Sequence, residues 1–182
     1  ERAAALRIPV APVSDGKMLL ELDHPEQRGV FLTDVEGGFR FPRRPYLIDG
    51  EPGPAPHAAP ELGADDGAPV PVRAARAETA AGTPRLPLDG IRVLDLTAWW
   101  AGPSGAGVLA SLGADVTHVE STRRIDGMRT AGGMFFGKQA QWWEFSSFFL
   151  AANINKTDVT LDLDRPEGRA LALELAAQAD IV

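Results

Sequence analysis

The sequence contains no cysteine. That excludes disulfides, a thiolate nucleophile and any zinc site built on sulfur, and it fits a reducing, cytoplasmic setting. No apolar run approaches the ~18 residues of a membrane span, and the N-terminus lacks the apolar core of a signal peptide. Positive charge is scarce too. Eighteen Lys and Arg stand against 25 Asp and Glu, a formal net charge of -7. Such a chain repels phosphate backbones, so nucleic acid is not expected as a partner. Any anionic ligand must be held by local Arg, Lys and backbone N–H groups. The three histidines, His24, His57 and His118, show no ligand spacing, so neither a metal nor a catalytic histidine is expected.

What is present is the composition of a globular domain: 182 residues, 45% hydrophobic and 24% charged. Glu1 stands where a methionine would, and the last residues, Asp180-Ile-Val, read as the start of a strand. The expectation is a piece of a longer chain.

Residues 1–50 carry a short helix end, a Pro-rich extended stretch, a helical segment from about Gly16 to Glu26 and a hairpin. In the hairpin Phe31-Leu-Thr-Asp-Val and Phe39-Arg-Phe are joined by Glu36-Gly-Gly, whose glycines accept positive φ. Residues 51–87 hold eight of the fifteen prolines, and Val72 to Pro84 has almost nothing to bury. That is linker composition.

From Leu88 the pattern becomes strand, helix, strand. Ile91 to Thr97 is a buried-strand candidate, Pro103 to Leu112 a small-residue helix closed by Gly113, and Val116 to Glu120 the next strand. These pieces predict a right-handed βαβ unit. Further on, Val159, Leu161 and Leu163 alternate as in a strand. Asp164, Pro166 and Glu167 predict the start of a helix with Asp164 as its cap, and Leu171 and Leu175 as its buried face.

One generic motif presents itself and fails. Gly105-Ala-Gly107-Val-Leu-Ala110 fits a dinucleotide fingerprint, and Glu120 ends the following strand like a ribose-binding acid. Yet seven residues separate Gly105 from Thr97 where none should, and Gly105 to Glu120 spans only 15. Small residues that let a helix approach a sheet closely explain the pattern better.

The remaining elements are specific to a family. Leu88-Asp-Gly-Ile-Arg-Val-Leu-Asp-Leu-Thr, Ala101-Gly-Pro and Leu112-Gly-Ala-Asp-Val-Thr-His-Val-Glu, then Asn153-Ile-Asn-Lys156, Leu161-Asp-Leu-Asp-Arg-Pro-Glu-Gly168 and Ala179-Asp-Ile-Val182, follow one another in order. The stretch resembles the opening of a family III CoA-transferase, the CaiB/BaiF type. Residues 1–70, with Ile8-Pro-Val-Ala-Pro-Val, His24-Pro-Glu-Gln-Arg-Gly-Val-Phe and Pro60-Glu-Leu-Gly63, resemble the end of the same family. An end before a beginning implies a tandem fusion: residues 1–70 close a first unit, 71–87 form a linker, and 88–182 open a second.

The resemblance implies an α/β fold, the Rossmann-like parallel-sheet large domain of a family III fold, incomplete in this chain. It also implies coenzyme A or acyl-CoA as substrate, a carboxylic acid as the other reactant, and the rest of the fused protein or an interlocked dimer partner as protein partner. The implied site comprises Trp99, Trp100 and Ala101 in the loop after the first strand, the cations Arg123, Arg124 and Arg129, and Leu161 with Arg165. The two tryptophans either cover a pantetheine arm or adenine ring or fill the site, and the arginines either meet phosphates or form a solvated loop. Asp164 replaces a family cation there, with Arg165 adjacent to compensate. The family's nucleophilic aspartate matches no acid here. Three activities follow as alternatives: CoA transfer through an aspartyl intermediate, acyl-CoA racemisation on the same fold, or a degenerate CoA-binding or structural unit.

Overall fold

A computed structural model describes residues 2–11, 13, 15–34, 37–52, 59–64, 66–67 and 86–182. The chain divides into two compact units, Glu1–Ala59 and Pro60–Val182. The linker stretch Val72 to Pro84, Glu36 of the hairpin turn and His57 lie outside the described residues.

In the first unit three short helices, α1 (Arg2–Ala5), α2 (Gly16–Leu20) and α3 (Asp23–Gln27), precede an antiparallel hairpin of β1 (Phe31–Thr33) and β2 (Arg40–Pro42). The single helix expected over 16–26 is thus two. Asp15 caps α2 by accepting the Met18 N–H at 2.8 Å, and the chain leaves helical geometry at Leu22 before α3 begins with Pro25 in its first turn. Arg40 stands over the Phe31 ring and pairs with Glu26 at 3.0 Å, fastening the hairpin to α3.

The second unit is built on a parallel sheet of β3 (Arg92–Asp95), β4 (Asp115–Glu120) and β5 (Thr157–Thr160), in that spatial order. The last residues extend it: Ile181 bridges Val93 in parallel, and the Leu94 N–H donates to the Ile181 carbonyl at 2.9 Å. Helix α4 (Ala101–Ser111) connects β3 to β4, and α7 (Pro166–Gln178) follows β5. Between β4 and β5 lie α5 (Gly127–Thr130), a 3-10 turn at Trp142–Phe145 and α6 (Ser147–Asn153). Among the described residues Val93, Ala110, Ala114 and Val116 form a buried cluster, with Leu88, Ile91, Ala106 and Leu109 packed against it, and Leu94, Met128, Phe149 and Ala152 are also buried.

The βαβ expectation is met, with α4 beginning two residues before Pro103 and ending on Gly113 at φ +101. Two expectations are corrected. The last strand stops at Thr160: Leu161 still donates its N–H to the Glu120 carbonyl at 2.9 Å, but Leu163 is past the ladder. Asp164 does not cap α7. Arg165 occupies that position without a side-chain bond, and the turn before it is closed by Asp162, which accepts the Asp164 N–H at 3.2 Å. Leu171 is 45% exposed, so the half-buried face of α7 runs through Ala172, Leu175 and Ala176 instead.

Candidate functional site

In an open parallel sheet the strands' carboxyl ends share one edge, and the loops leaving them converge there. Three loops leave this sheet at that edge: Leu96 to Trp100 after β3, Ser121 to Asp126 after β4, and Leu161 to Arg165 after β5. All eight site residues expected from the sequence lie in these loops or in the helical turns next to them. The fold therefore gathers segments that are up to 66 residues apart in the chain, Trp99 to Arg165.

Below the first loop is a buried polar network. Asp95 ends β3, and Lys156 precedes β5; their side chains are each 1% exposed and 2.8 Å apart. Lys156 spends its other two protons on the Pro103 carbonyl and Asn153 Oδ1, both at 2.8 Å. Asp95 also accepts from the Thr97 N–H at 3.0 Å and the Thr97 hydroxyl at 2.5 Å. Burial alone would raise the Asp95 pKa, but the contacts to His118, Lys156 and Thr97 outweigh it and hold the carboxylate well below its usual range. The network ties the end of β3, the first turn of α4 and the end of α6 together. His118, opposite Asp95 in the β3–β4 register, is also 1% exposed. Its Nδ1 comes within 3.1 Å of Asp95 Oδ2, off the line of a hydrogen bond, and among the described residues neither ring nitrogen has a hydrogen-bond partner.

Under the second loop Arg129 gathers three carboxylates. It meets Glu120 at 2.6 Å, Glu144 at 2.9 Å and Asp158 at 3.2 Å, while its guanidinium lies 3.6 Å from the centre of the Phe149 ring. Burial opposes charge on Glu120, but bonding to Arg129 prevails and lowers its pKa; Asp158, pressed by burial and by the neighbouring Glu120 carboxylate, is raised to about 7. Arg129 is accordingly no part of the exposed cation cluster in which the sequence placed it. Its guanidinium nitrogens are all engaged within the protein.

The other arginines are at the surface. Arg123 lies 3.2 Å from Asp162 and 3.8 Å from Asp164, which joins the second loop to the third and offsets part of its charge. Arg165 is 3.7 Å from Glu167. Arg124 is exposed, as are Trp99 and Trp100. Ala101 opens α4 and Leu161 is half-buried. Trp100 meets Phe148 edge-on at 6.4 Å.

His118, Glu120 and Asp126 bring ligand atoms within 4.8 Å of one another. The carboxylates are already committed: Glu120 to Arg129, and Asp126 to the N–H groups of Trp99 and Met128. A cation there would compete with the guanidinium. Asp126 was visible in the sequence only as one acid among arginines. The signal for Asp95 was a charge inside an apolar strand, and for Lys156 its place in Asn153-Ile-Asn-Lys.

The order and spacing of these loops match a known family. Residues 88–182, just over half the chain, match the sequence model of CoA-transferase family III. The chain belongs to this family. Among curated relatives, succinyl-CoA–D-citramalate CoA-transferase of Chloroflexus aurantiacus is 40% identical over 99 residues, 54% of this chain and 23% of its own length. The human succinyl-CoA:glutarate CoA-transferase is 37% identical over 95 residues, 52% of this chain and 20% of its own. A crystal structure of a CAIB/BAIF family protein from Brucella suis aligns with a TM-score of 0.47 at 37% identity, over 54% of this chain and 25% of that one. The chain thus spans about a fifth to a quarter of the length of these relatives.

Proposed function

We propose that the protein containing this chain transfers CoA between an acyl-CoA thioester and a carboxylic acid, and that residues 88–182 supply part of its CoA site. The observation that carries this reading is the convergence of the three family-matching loops on the carboxyl edge of one parallel sheet. Relatives named as CoA-transferases, two of them acting with succinyl-CoA, favour transfer over racemisation. On this reading Trp99, Trp100, Ala101, Arg123, Arg124, Leu161 and Arg165 line the CoA site. Arg123 and Arg124 face the phosphates, Arg124 with no carboxylate offsetting it in the described surroundings. Arg129 holds their loop in place from beneath.

The transfer would be covalent. An aspartate matched by no acid of this chain attacks the donor thioester and expels CoA thiolate, leaving a mixed anhydride. The thiolate attacks the aspartyl carbonyl and releases the donor carboxylate. The acceptor carboxylate then attacks the aspartyl thioester, and the expelled thiolate recaptures the acceptor acyl group, freeing the aspartate. Residues 1–70 would be the closing segment of a preceding unit of the same kind.

Calorimetric titration of CoA into the full-length protein tests the site. Removing both cations in Arg123→Ala/Arg124→Ala should weaken CoA binding by about thirtyfold or more, each charge-assisted phosphate contact contributing on the order of 1–3 kcal/mol. Unchanged affinity would remove the two arginines from the site, and absence of CoA binding by the wild-type protein would refute the reading itself.

A further inference from the structure

The site's first loop contains a backbone conformation that its residue does not favour. Trp99 sits at φ +68, in the left-handed region, where a side chain with a Cβ is strained. Nothing intrinsic to Ala98-Trp-Trp selects that conformation. What holds it is Asp126, from the neighbouring loop. Asp126 is 7% exposed and accepts the Trp99 N–H with both carboxylate oxygens, at 3.2 and 3.1 Å. The same carboxylate accepts the Met128 N–H at 2.8 Å, so its own position is fixed by the first turn of α5. The Trp99 indole then lies across the gap onto Gly127, where a Cβ would run into the outer edge of the ring. Backbone, carboxylate and indole close a clasp between the loop after β3 and the loop after β4. Trp99 is nevertheless 60% exposed, so the side chain remains accessible to a ligand.

We infer that Asp126 is a positioning residue for ligand binding: it holds Trp99 in the left-handed conformation so that the indole, seated on Gly127, forms a fixed wall of the CoA site. This deepens the proposed function and rests on it. A strained loop held by one buried carboxylate is a pre-organised loop, and its ordering cost is met on folding rather than on binding. Without the clasp Trp99 relaxes to negative φ and the wall moves.

The test is a set of CoA titrations on the full-length protein, with a thermal melt of each variant to confirm folding. Trp99→Ala, at an exposed position, should raise the CoA dissociation constant about tenfold, the scale of losing one aromatic stacking surface. Gly127→Ala, which displaces the indole without touching the carboxylate, should do the same. Asp126→Ala should raise it by about tenfold in the wild-type background. In a Trp99→Gly background, where glycine takes positive φ freely, it should change it less than about twofold. A purely structural Asp126, acting through its cap on α5, would lose the same factor in both backgrounds, and that result would overturn the proposal. So would unchanged CoA affinity in Trp99→Ala and Gly127→Ala while wild type binds. Wild type that binds no CoA overturns the functional reading first, and this inference with it.

Discussion

Replacing Lys156 by methionine is the most informative single perturbation of this fold. The ammonium is 1% exposed and donates to three acceptors, Asp95, the Pro103 carbonyl and Asn153, each at 2.8 Å. Methionine keeps most of the volume, so cavity formation is minor. What remains is an Asp95 carboxylate, itself 1% exposed, with, among the described residues, only the two Thr97 donors and the misaligned His118 edge. Breaking a buried pair from one side costs about 3–5 kcal/mol, because the surviving charge stays desolvated. For a domain of this size that is a fall in Tm of roughly 10–20 °C. Urea and thermal melts of Lys156→Met and of Lys156→Met/Asp95→Asn would measure it. The double variant should recover part of the loss, since it removes the stranded charge along with its partner. A single-variant loss below about 1 kcal/mol, or no coupling between the two sites, would refute the account of this network as the anchor of the loop after β3.

Two further outcomes follow from the same structure. Asp158 is raised to about 7 by burial and by Glu120, against an unfolded value near 4. The folded protein therefore holds a proton there that the unfolded chain has lost, and this contribution is present at low pH and disappears as pH rises through about 7. Asp158→Asn, which resembles the protonated acid, should gain stability relative to wild type between about pH 5 and pH 8 in urea melts, and a constant difference over that window would contradict the assignment. At Gly168, in the first turn of α7, a Cβ would collide with the Asp162 carbonyl, which is backbone and cannot swing aside. Gly168→Ala should destabilise by about 1–3 kcal/mol despite the better helix propensity of alanine, and a stabilised variant would show that the turn yields.

The family, the βαβ unit and the positions of the candidate loops were all determined by the sequence alone. Each of these depends on local order: apolar runs of strand length, a glycine closing α4, and family elements at fixed spacing between Leu88 and Val182. The helix cap at Asp164 was misjudged because α7 begins one residue later than the capping pattern implied, with Arg165 in the cap position, and the Asp164 side chain points instead to solvent, 3.8 Å from Arg123, a partner 41 residues away that spacing within the motif does not reveal.

Only the tertiary structure decided which charges are free to meet a ligand. Arg123, Arg124 and Arg129 look alike within seven residues, yet Arg129 is drawn under the sheet edge by acids from β4, β5 and the 3-10 turn, while Arg124 stays at the surface. The partners that separate them lie up to 29 residues away, Asp158 from Arg129, and parallel strands bring them together only once the sheet has formed. The Trp99–Asp126 clasp is of the same kind. A left-handed tryptophan is unreadable in a sequence because the force that maintains it comes from a different loop, 27 residues on.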